Sequence, residues 1–178
     1  MTKLLGILGP IGSGKGTAAD YLTDKYGYAH ITMGNILREF ARKNHIKPTR
    51  IHLQKLQEKY RKKFGDDFFI KIAIEKAKNF DRTVIDGIRN PIDAKRVSEN
   101  KGKLILVDAD PKVRFERMKK RRRAGFSKTF EQFKKEEANE WKYHNFRKTM
   151  TYVSYKVDNS DGKAYLFRQL DKLMKKLK

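Results

Sequence analysis

The sequence predicts an α/β fold in which helices cover both faces of a parallel sheet. Five short apolar segments alternate along the chain with segments of helical periodicity, a pattern typical of a doubly wound sheet. One of these segments, 104–107, is apolar throughout, as expected for a strand that is buried on both faces. A glycine-rich turn joins the first strand to the first helix. We expect one domain spanning residues 1–178, without repeats or linkers.

The strands are predicted from short apolar runs that are bounded by glycine, proline, asparagine or aspartate. The first run leads directly into the glycine-rich turn. The third run ends in Asp86-Gly87, so that a carboxylate stands at the end of an apolar strand. The last strand is predicted from alternation of apolar and polar residues. The five predicted strands cover 3–8, 28–32, 82–87, 104–107 and 151–157.

Helices are predicted where apolar residues recur every three or four positions. Thr49 is expected to cap one helix at its N-terminus, and Gly27 to end another. Pro91 and Pro111 fit the first turns of two further helices. The first predicted helix follows the glycine-rich turn, and the others begin at about residues 33, 49, 66, 91, 110, 130 and 163.

The stretch Gly9-Pro10-Ile11-Gly12-Ser13-Gly14-Lys15-Gly16-Thr17 has the features of a phosphate-binding loop. It lies between a predicted strand and a predicted helix, which is the context that such a loop requires. Glycines allow backbone N–H groups to converge on an anion, and the helix start adds its positive dipole end. Lys15 can reach the outer phosphates of a nucleoside triphosphate. An ordinary glycine-rich turn is the alternative. The predicted donor-binding residues of the loop are Gly9, Gly12, Ser13, Gly14, Lys15, Gly16 and Thr17.

The chain is strongly basic, with 43 Lys and Arg residues against 21 Asp and Glu residues and a net charge of +22. Such a charge attracts nucleotides, nucleic acids and acidic membranes without selecting among them. There is no cysteine, which excludes disulfides and thiolate metal sites. No apolar run approaches the ~20 residues that cross a bilayer, and the first residues lead straight into a strand. We expect a monomeric, cytoplasmic protein without a membrane partner.

Three motifs, 12–17, 86–89 and 117–121, occur in the order found in P-loop nucleotide kinases. Along essentially its whole length the chain resembles the nucleoside monophosphate kinases, specifically the adenylate and cytidylate kinase group. The resemblance implies a three-layer P-loop NTPase fold with strand order 2-3-1-4-5. It also implies a helical acceptor-binding region at about 32–80, a short basic lid at about 121–129, ATP as the donor and Mg²⁺ as the metal.

The resemblance also implies roles for individual residues. Thr17 and Asp86 would hold Mg²⁺ through water. Arg38 and Arg89 would clamp the acceptor's phosphate, for which planar guanidinium groups are well suited. Arg117 would pack on the adenine. The catalytic residues implied in this way are Lys15, Arg38, Arg89 and Arg121.

Two segments depart from the pattern of the resembled kinases. Asp86-Gly87-Ile88-Arg89 is one residue shorter than their Asp-Gly-x-Pro-Arg motif and lacks its proline, and it resembles uncharacterised nucleotide-kinase-like proteins. Asp158-Asn159-Ser160 resembles the adenine-side loop of dephospho-coenzyme A kinases, although a plain turn explains it equally well. These departures leave the identity of the acceptor open.

The kind of acceptor changes which residues are needed. A phosphate acceptor, whose second pKa is about 6, is already anionic and needs only cationic clamps. A hydroxyl acceptor needs a nearby carboxylate base. The chain has no acid between Asp24 and Glu39, where the resembled dephospho-coenzyme A kinases carry their base. We therefore favour a nucleoside or deoxynucleoside monophosphate as acceptor.

Two alternatives stay open. In the first, phosphate is transferred to the ribose 3′-hydroxyl of dephospho-coenzyme A, with Asp86 as the base. In the second, the fold serves as a nucleotide-switched nucleic-acid-binding or assembly factor. The net charge and the basic segment 112–123 motivate the second alternative, but no RNA-binding aromatic motif accompanies them.

Overall fold

The computed structural model of the chain describes residues 3–121 and 129–177. In this part of the chain, five parallel strands form one sheet with the order β2-β3-β1-β4-β5, which confirms the predicted order. The strands are β1 (Leu4–Leu8), β2 (Ala29–Thr32), β3 (Thr83–Ile88), β4 (Lys103–Asp108) and β5 (Tyr155–Asp158). The helices are α1 (Lys15–Tyr26), α2 (Met33–Lys43), α3 (Arg50–Phe64), α4 (Phe68–Ala77), α5 (Pro91–Glu99), α6 (Pro111–Lys120), α7 (Phe130–Tyr143), α8 (Phe146–Met150) and α9 (Lys163–Lys176).

Helices cover both faces of the sheet because the central strands carry apolar residues on both sides. In β1, Leu4 and Leu8 join a core with residues of α2, α4, α5 and α8. Leu5 and Ile7 of the same strand face the other way, into a core with residues of α1 and α9. This alternation follows from the period of two in a strand. A third, smaller cluster joins α6 to α7 through Phe115, Met118 and Phe133.

Most helix ends lie where the capping residues predict them. The Thr49 side chain accepts a hydrogen bond from the His52 backbone N–H at 3.2 Å, and Gly27 ends α1 in a left-handed conformation. The helix expected from Asp66 begins later, at Phe68; the Asp67 side chain before it binds Arg96 and makes no capping hydrogen bond. Among the described residues, no helix has the combination of length and apolar character needed to cross a bilayer.

The region before the last strand differs from the prediction of a strand over 151–157. The strand begins only at Tyr155. Residues 151–153 donate backbone hydrogen bonds to carbonyls three positions earlier, so they continue the turns of the unpredicted helix α8. Asn145, with φ of +48°, separates α8 from α7. Apolar alternation alone does not distinguish such turns from a strand.

The parallel strands bring their carboxyl ends to one edge of the sheet. The glycine-rich loop follows β1 at this edge, and Asp86 lies in the last part of β3. Pairing of β1 with β3 is regular from Leu4 to Ile7 and then shifts by one residue, so that Leu8 pairs with Ile88. Gly87 is the extra residue, and its φ of +93° is a conformation that side-chain-bearing residues rarely adopt. The bulge thereby redirects the chain immediately after Asp86.

Candidate active site

The glycine-rich loop curls directly into the first turn of α1. Gly14 precedes this helix with φ of +96°, and a Cβ atom at this position would lie 2.2 Å from Nδ2 of Asn159. Only glycine fits such a left-handed position beside a packed neighbour. Gly16 differs, since a Cβ atom built there meets no heavy atom of the described part of the chain within 4 Å. Glycine at position 16 is therefore not required by packing.

Two side chains from distant segments hold the loop in shape. Asn159, which follows β5, donates a hydrogen bond from Nδ2 to the backbone oxygen of Ser13 at 2.7 Å. Arg114 of α6 donates from Nη1 to the backbone oxygen of Ile11 at 3.4 Å. Ser13 itself is fully buried. The loop is thus supported from β5 and α6 as well as by its own glycines.

Lys15 lies folded over this loop. Its Nζ donates to the backbone oxygens of Gly9 at 2.8 Å and of Pro10 at 2.9 Å. The pKa of Lys15 is lowered to about 8, mainly by burial and next by the nearby Arg89 guanidinium, while the Asp86 carboxylate opposes the shift. The lysine is therefore a desolvated cation whose charge an incoming anion would stabilise.

A cavity of about 280 Å³ opens beside the loop. One wall is the loop itself, and the others come from the end of β3, from α6 and from the α7–α8 region. No described residue in the range 32–80 lines it. Its lining consists of Gly9, Pro10, Ile11, Gly12, Gly14, Lys15, Gly16, Asp86, Arg89, Met118, Arg121, Glu140, Trp141, His144 and Phe146.

Asp86 presents a carboxylate to this cavity with one oxygen unpartnered. The side chain is 13% exposed, and its Oδ1 is buried with no hydrogen-bond partner among the described residues. Its Oδ2 lies 3.9 Å from Nε2 of His30, and the Asp86 carboxylate raises the pKa of that histidine. Asp20 lies on the other side of the ring, 3.3 Å from Nδ1. A buried, unpartnered carboxylate oxygen has the chemistry of a position that faces a cation or its bound water.

Two acidic residues of α7, both missed by the sequence prediction, reach the site. Glu140 lines the cavity and forms an ion pair with Arg89. Glu137, one turn earlier, pairs with Arg114, whose side chain is 3% exposed. The sequence gives little indication that these two residues belong to the site. They are acidic residues in a basic chain, on a helix that was predicted from its apolar positions alone. Their partners follow only from the path of α7, which brings Glu137 to Arg114 of α6 and Glu140 to Arg89 after β3.

Two arginines of the predicted lid entrance lie at the end of α6. Arg117 donates from Nη2 to the backbone oxygen of Asn159 at 2.7 Å, while its Nη1 is buried and has no hydrogen-bond partner within 3–121 and 129–177. Burial, followed by the nearby Arg121 charge, lowers the pKa of Arg117. Arg121 is exposed at the cavity rim. Of the predicted lid 121–129, residues 122–128 lie outside the described residues.

The described cavity lining omits four predicted site residues: Ser13, Thr17, Arg38 and Arg117. Thr17 is partly exposed in the first turn of α1, next to the loop. Arg38 is exposed on α2, and its Nη2 donates to Oδ1 of Asn35 at 2.6 Å. The structure therefore brings Lys15, Asp86, Arg89 and Arg121 together but leaves Arg38 outside this group.

The sequence matches an AAA-domain family over residues 8–134. The chain belongs to this AAA-domain family. The chain is also similar to UPF0200 proteins. This chain is 29% identical to the UPF0200 protein of Thermococcus sibiricus, with 96% of this chain and 93% of the relative covered. Identity to the UPF0200 protein of Hyperthermus butylicus is 32%, with 75% of this chain and 73% of the relative covered.

Solved structures share the fold of this AAA-domain chain. Shikimate kinase from Acinetobacter baumannii, in complex with shikimate, aligns with a TM-score of 0.64 and 14% identity, covering 100% of this chain and 96% of that one. An uncharacterised protein from Eubacterium ventriosum aligns with a TM-score of 0.62 and 18% identity, covering 97% and 96%. The resemblance to P-loop kinases is thus confirmed for the fold, and membership of the adenylate and cytidylate kinase group stays a prediction.

Proposed function

We propose that the chain transfers the terminal phosphate of ATP to a nucleoside or deoxynucleoside monophosphate, forming a diphosphate and ADP. The observation that supports this most strongly is the composition of the cavity. Lys15 and the loop share it with the Asp86 carboxylate and the Arg89 guanidinium. Phosphoryl transfer depends on positioning and on neutralising charge, and these groups can do both.

The glycine-rich loop is the proposed binding site of the donor's phosphates. Its backbone N–H groups and the start of α1 favour an anion, and Lys15 adds a full charge in a water-poor setting. Bound Mg²⁺ supplies neutralisation of the phosphate charge. Thr17 and Asp86 are the residues proposed to hold this ion through water, and the unpartnered Oδ1 of Asp86 fits that arrangement.

The acceptor would lie on the Arg89 side of the cavity. Arg89 can offer two parallel N–H groups to phosphate oxygens. Arg38 would join it only if α2 approached the cavity, a closure known for acceptor-binding regions of enzymes. In this proposal Arg121 contacts the transferring phosphates from the opposite rim, and Arg117 packs on the adenine. The region 32–80 and the lid 121–129 keep their proposed roles within one domain.

A hydroxyl acceptor, such as dephospho-coenzyme A, is the second candidate. Glu140 favours it, because this residue places a second carboxylate in the cavity beside Asp86. Either carboxylate could accept the proton of an attacking hydroxyl. The absence of acids between Asp24 and Glu39 argued against a hydroxyl acceptor, because no carboxylate base was available there. Glu140 of the distant helix α7 could supply that carboxylate.

A coupled assay of ADP release tests the proposal. ATP and Mg²⁺ are supplied with each common nucleoside and deoxynucleoside monophosphate in turn, and with dephospho-coenzyme A. We expect turnover with at least one monophosphate. Turnover with dephospho-coenzyme A alone would remove the monophosphate proposal, and absence of turnover with every acceptor would remove both candidates.

Replacing Lys15 provides the matching change in the protein. Lys15→Ala should lower kcat/KM at least about 100-fold, a loss typical for a group that stabilises transition-state charge. Lys112→Ala, which removes an exposed lysine from α6, is the control and should leave the rate unchanged. Thermal unfolding of both variants shows whether they are folded. An unchanged rate in folded Lys15→Ala protein would exclude the loop from the mechanism.

A further inference from the structure

Glu140 introduces a negative charge into a cavity that is proposed to receive phosphates. It lies with Lys15 and Asp86 in the cavity lining, and its carboxylate pairs with the Arg89 guanidinium. A second carboxylate would repel an incoming phosphate. Glu140 accepts from Nη1 of the guanidinium proposed to bind the acceptor, so a phosphate that binds both Nη groups must displace it.

The pair is not needed to attach α7 to the rest of the protein. Glu137 already binds Arg114 of α6, with side-chain exposures of only 13% and 3%. Next to Glu140, the Trp141 ring packs on the buried Phe146 of α8, with ring centres 5.0 Å apart. With α7 anchored on both sides of Glu140, this side chain can leave Arg89 by rotation alone.

The Arg89–Glu140 pair is also weak enough to be exchanged. The Arg89 side chain is 50% exposed and that of Glu140 19%, whereas the Arg114 side chain is 3% exposed, so water reaches the first pair mainly from the Arg89 side. Exposed ion pairs contribute little net free energy because water screens them. A phosphate that carries nearly two negative charges near pH 7 makes stronger hydrogen bonds to a guanidinium than a carboxylate with one charge. The phosphate can therefore displace the carboxylate.

We propose that Glu140 occupies the anion-binding face of Arg89 until the acceptor's phosphate replaces it. This inference rests on the proposed function. Glu140 is then a specificity-determining residue, because an acceptor without a phosphate cannot displace the Glu140 carboxylate from Arg89. Specificity for monophosphates then has two sources: the favourable contact between the phosphate and Arg89, and the competition of the Glu140 carboxylate against acceptors that lack a phosphate.

Glu140→Gln tests the inference, because it removes the charge and keeps the shape. Glu136→Gln is the matched control, as Glu136 is exposed on the same helix and its replacement changes the net charge equally. The dissociation constant of each nucleoside monophosphate is measured by calorimetry, with Mg²⁺ and a non-hydrolysable ATP analogue present. We expect about fivefold tighter binding in Glu140→Gln than in Glu136→Gln, the size of a lost exposed pair.

A second pair of proteins shows whether the gain passes through Arg89. In a protein that already carries Arg89→Ala, Glu140→Gln should not tighten monophosphate binding, because there is no Arg89 guanidinium for the substitution to release. Equal or weaker binding in Glu140→Gln than in the control overturns the inference, as does absence of monophosphate binding in both. A lower kcat without tighter binding also overturns it, because Glu140 would then act on the acceptor's hydroxyl.

The outcome can be separated from that of the proposed function. Tighter binding without turnover in the ADP-release assay would keep the competition at Arg89 and remove the kinase activity. Turnover of monophosphates without tighter binding in Glu140→Gln would keep the kinase activity and remove the competition. Thermal unfolding of the variants confirms that each comparison is made on folded protein.

Discussion

A buried guanidinium connects the glycine-rich loop to α7. Arg114 donates from Nε to the backbone oxygen of Ala109 at 2.8 Å and from Nη1 towards the backbone oxygen of Ile11. Its Nη1 and Nη2 both bind Glu137, and its guanidinium lies 5.6 Å from the ring centre of Phe133. A planar group with five N–H donors can serve these partners together, which lysine cannot do.

Replacing Arg114 should therefore destabilise the fold. Arg114→Leu leaves the Glu137 carboxylate buried without its partner, and we expect the free energy of unfolding to fall by about 3–5 kcal/mol. In the double variant Arg114→Leu/Glu137→Leu no charge is left unpaired, so the loss should be smaller. Urea denaturation of the single and double variants measures both values. A single variant that loses less than the double variant would contradict this account.

Which site residues could be predicted from the sequence depends on how local their signals are. Lys15 lies in a motif whose neighbours define it, and Asp86 and Arg89 follow a recognisable strand. Glu140 is brought to the same cavity only by the path of α7. Nothing within a few residues of it marks that contact. The role of Arg38 was implied only by the resemblance to nucleoside monophosphate kinases, and its position outside the cavity lining depends on how α2 packs.

At the scale of secondary-structure elements, the junction between the loop and α1 distinguishes two glycines. Gly14→Ala would place a methyl group against Asn159 at a φ of +96°. We expect it to lower the free energy of unfolding by about 1–3 kcal/mol, since both strain and overlap oppose the native conformation. Gly16→Ala is the matched control and should be neutral or stabilising by up to about 1 kcal/mol, because alanine favours helix.

Thermal or urea unfolding measures both glycine variants. Nucleotide binding should follow the same order, because Asn159 also holds the backbone oxygen of Ser13. If the two variants lost equal stability, the left-handed conformation of Gly14 would not be the cause.

A second junction joins α3 to the start of α5. Asp93, 3% exposed, accepts hydrogen bonds from Nη2 of Arg61 at 3.3 Å and from Nδ2 of Asn90 at 2.6 Å. The Asn90 side chain also caps α5 by accepting from the Asp93 backbone N–H at 2.9 Å. Burial raises the pKa of Asp93 to about 6, a shift that Asp67 reinforces and that Arg61 and Asn90 oppose. Formation of the Arg61–Asp93 ion pair thus requires the Asp93 carboxylate to lose its hydration, which costs free energy.

This raised pKa predicts how stability depends on pH. The folded state binds the proton of Asp93 more tightly than the unfolded state does. The contribution of Asp93 to the free energy of unfolding is therefore greatest below about pH 4 and is lost as the pH rises through about 6. Two pKa units correspond to about 3 kcal/mol. Relative to wild type, Asp93→Asn should lack this decline between pH 4 and pH 7.

An exposed aspartate provides the control for that measurement. Asp81→Asn should keep the wild-type dependence of unfolding free energy on pH. Urea denaturation at several pH values compares the three proteins. An identical pH dependence in Asp93→Asn and wild type would show that the Asp93 proton is not linked to folding.

The predicted elements differ in accuracy for a physical reason. The inner strands are marked by dense apolar runs, and β1, β3 and β4 lie within one or two residues of their predicted positions. β2, at one edge of the sheet, also lies within one residue of its predicted position. β5 differs because its predicted start falls in backbone turns after α8, and apolar alternation does not distinguish such turns from a strand.

At the scale of the whole molecule, the net charge of +22 is not concentrated in the cavity. There Lys15, Arg89 and Arg121 are accompanied by Asp86 and Glu140, so opposite charges are interleaved. The wider basic surface can attract nucleotides by long-range steering, and it attracts nucleic acid by the same force. Recognition of a phosphate acceptor must therefore come from the arrangement of individual groups.

The fate of the transferred phosphate tests the central proposal most directly. The protein is incubated with ATP, Mg²⁺ and the most active acceptor, and the products are followed by phosphorus-31 NMR. We predict the paired resonances of a nucleoside diphosphate derived from the acceptor, appearing in step with ADP and absent with Lys15→Ala protein. ADP formed together with a new sugar phosphomonoester, or with inorganic phosphate alone, would contradict transfer to a monophosphate.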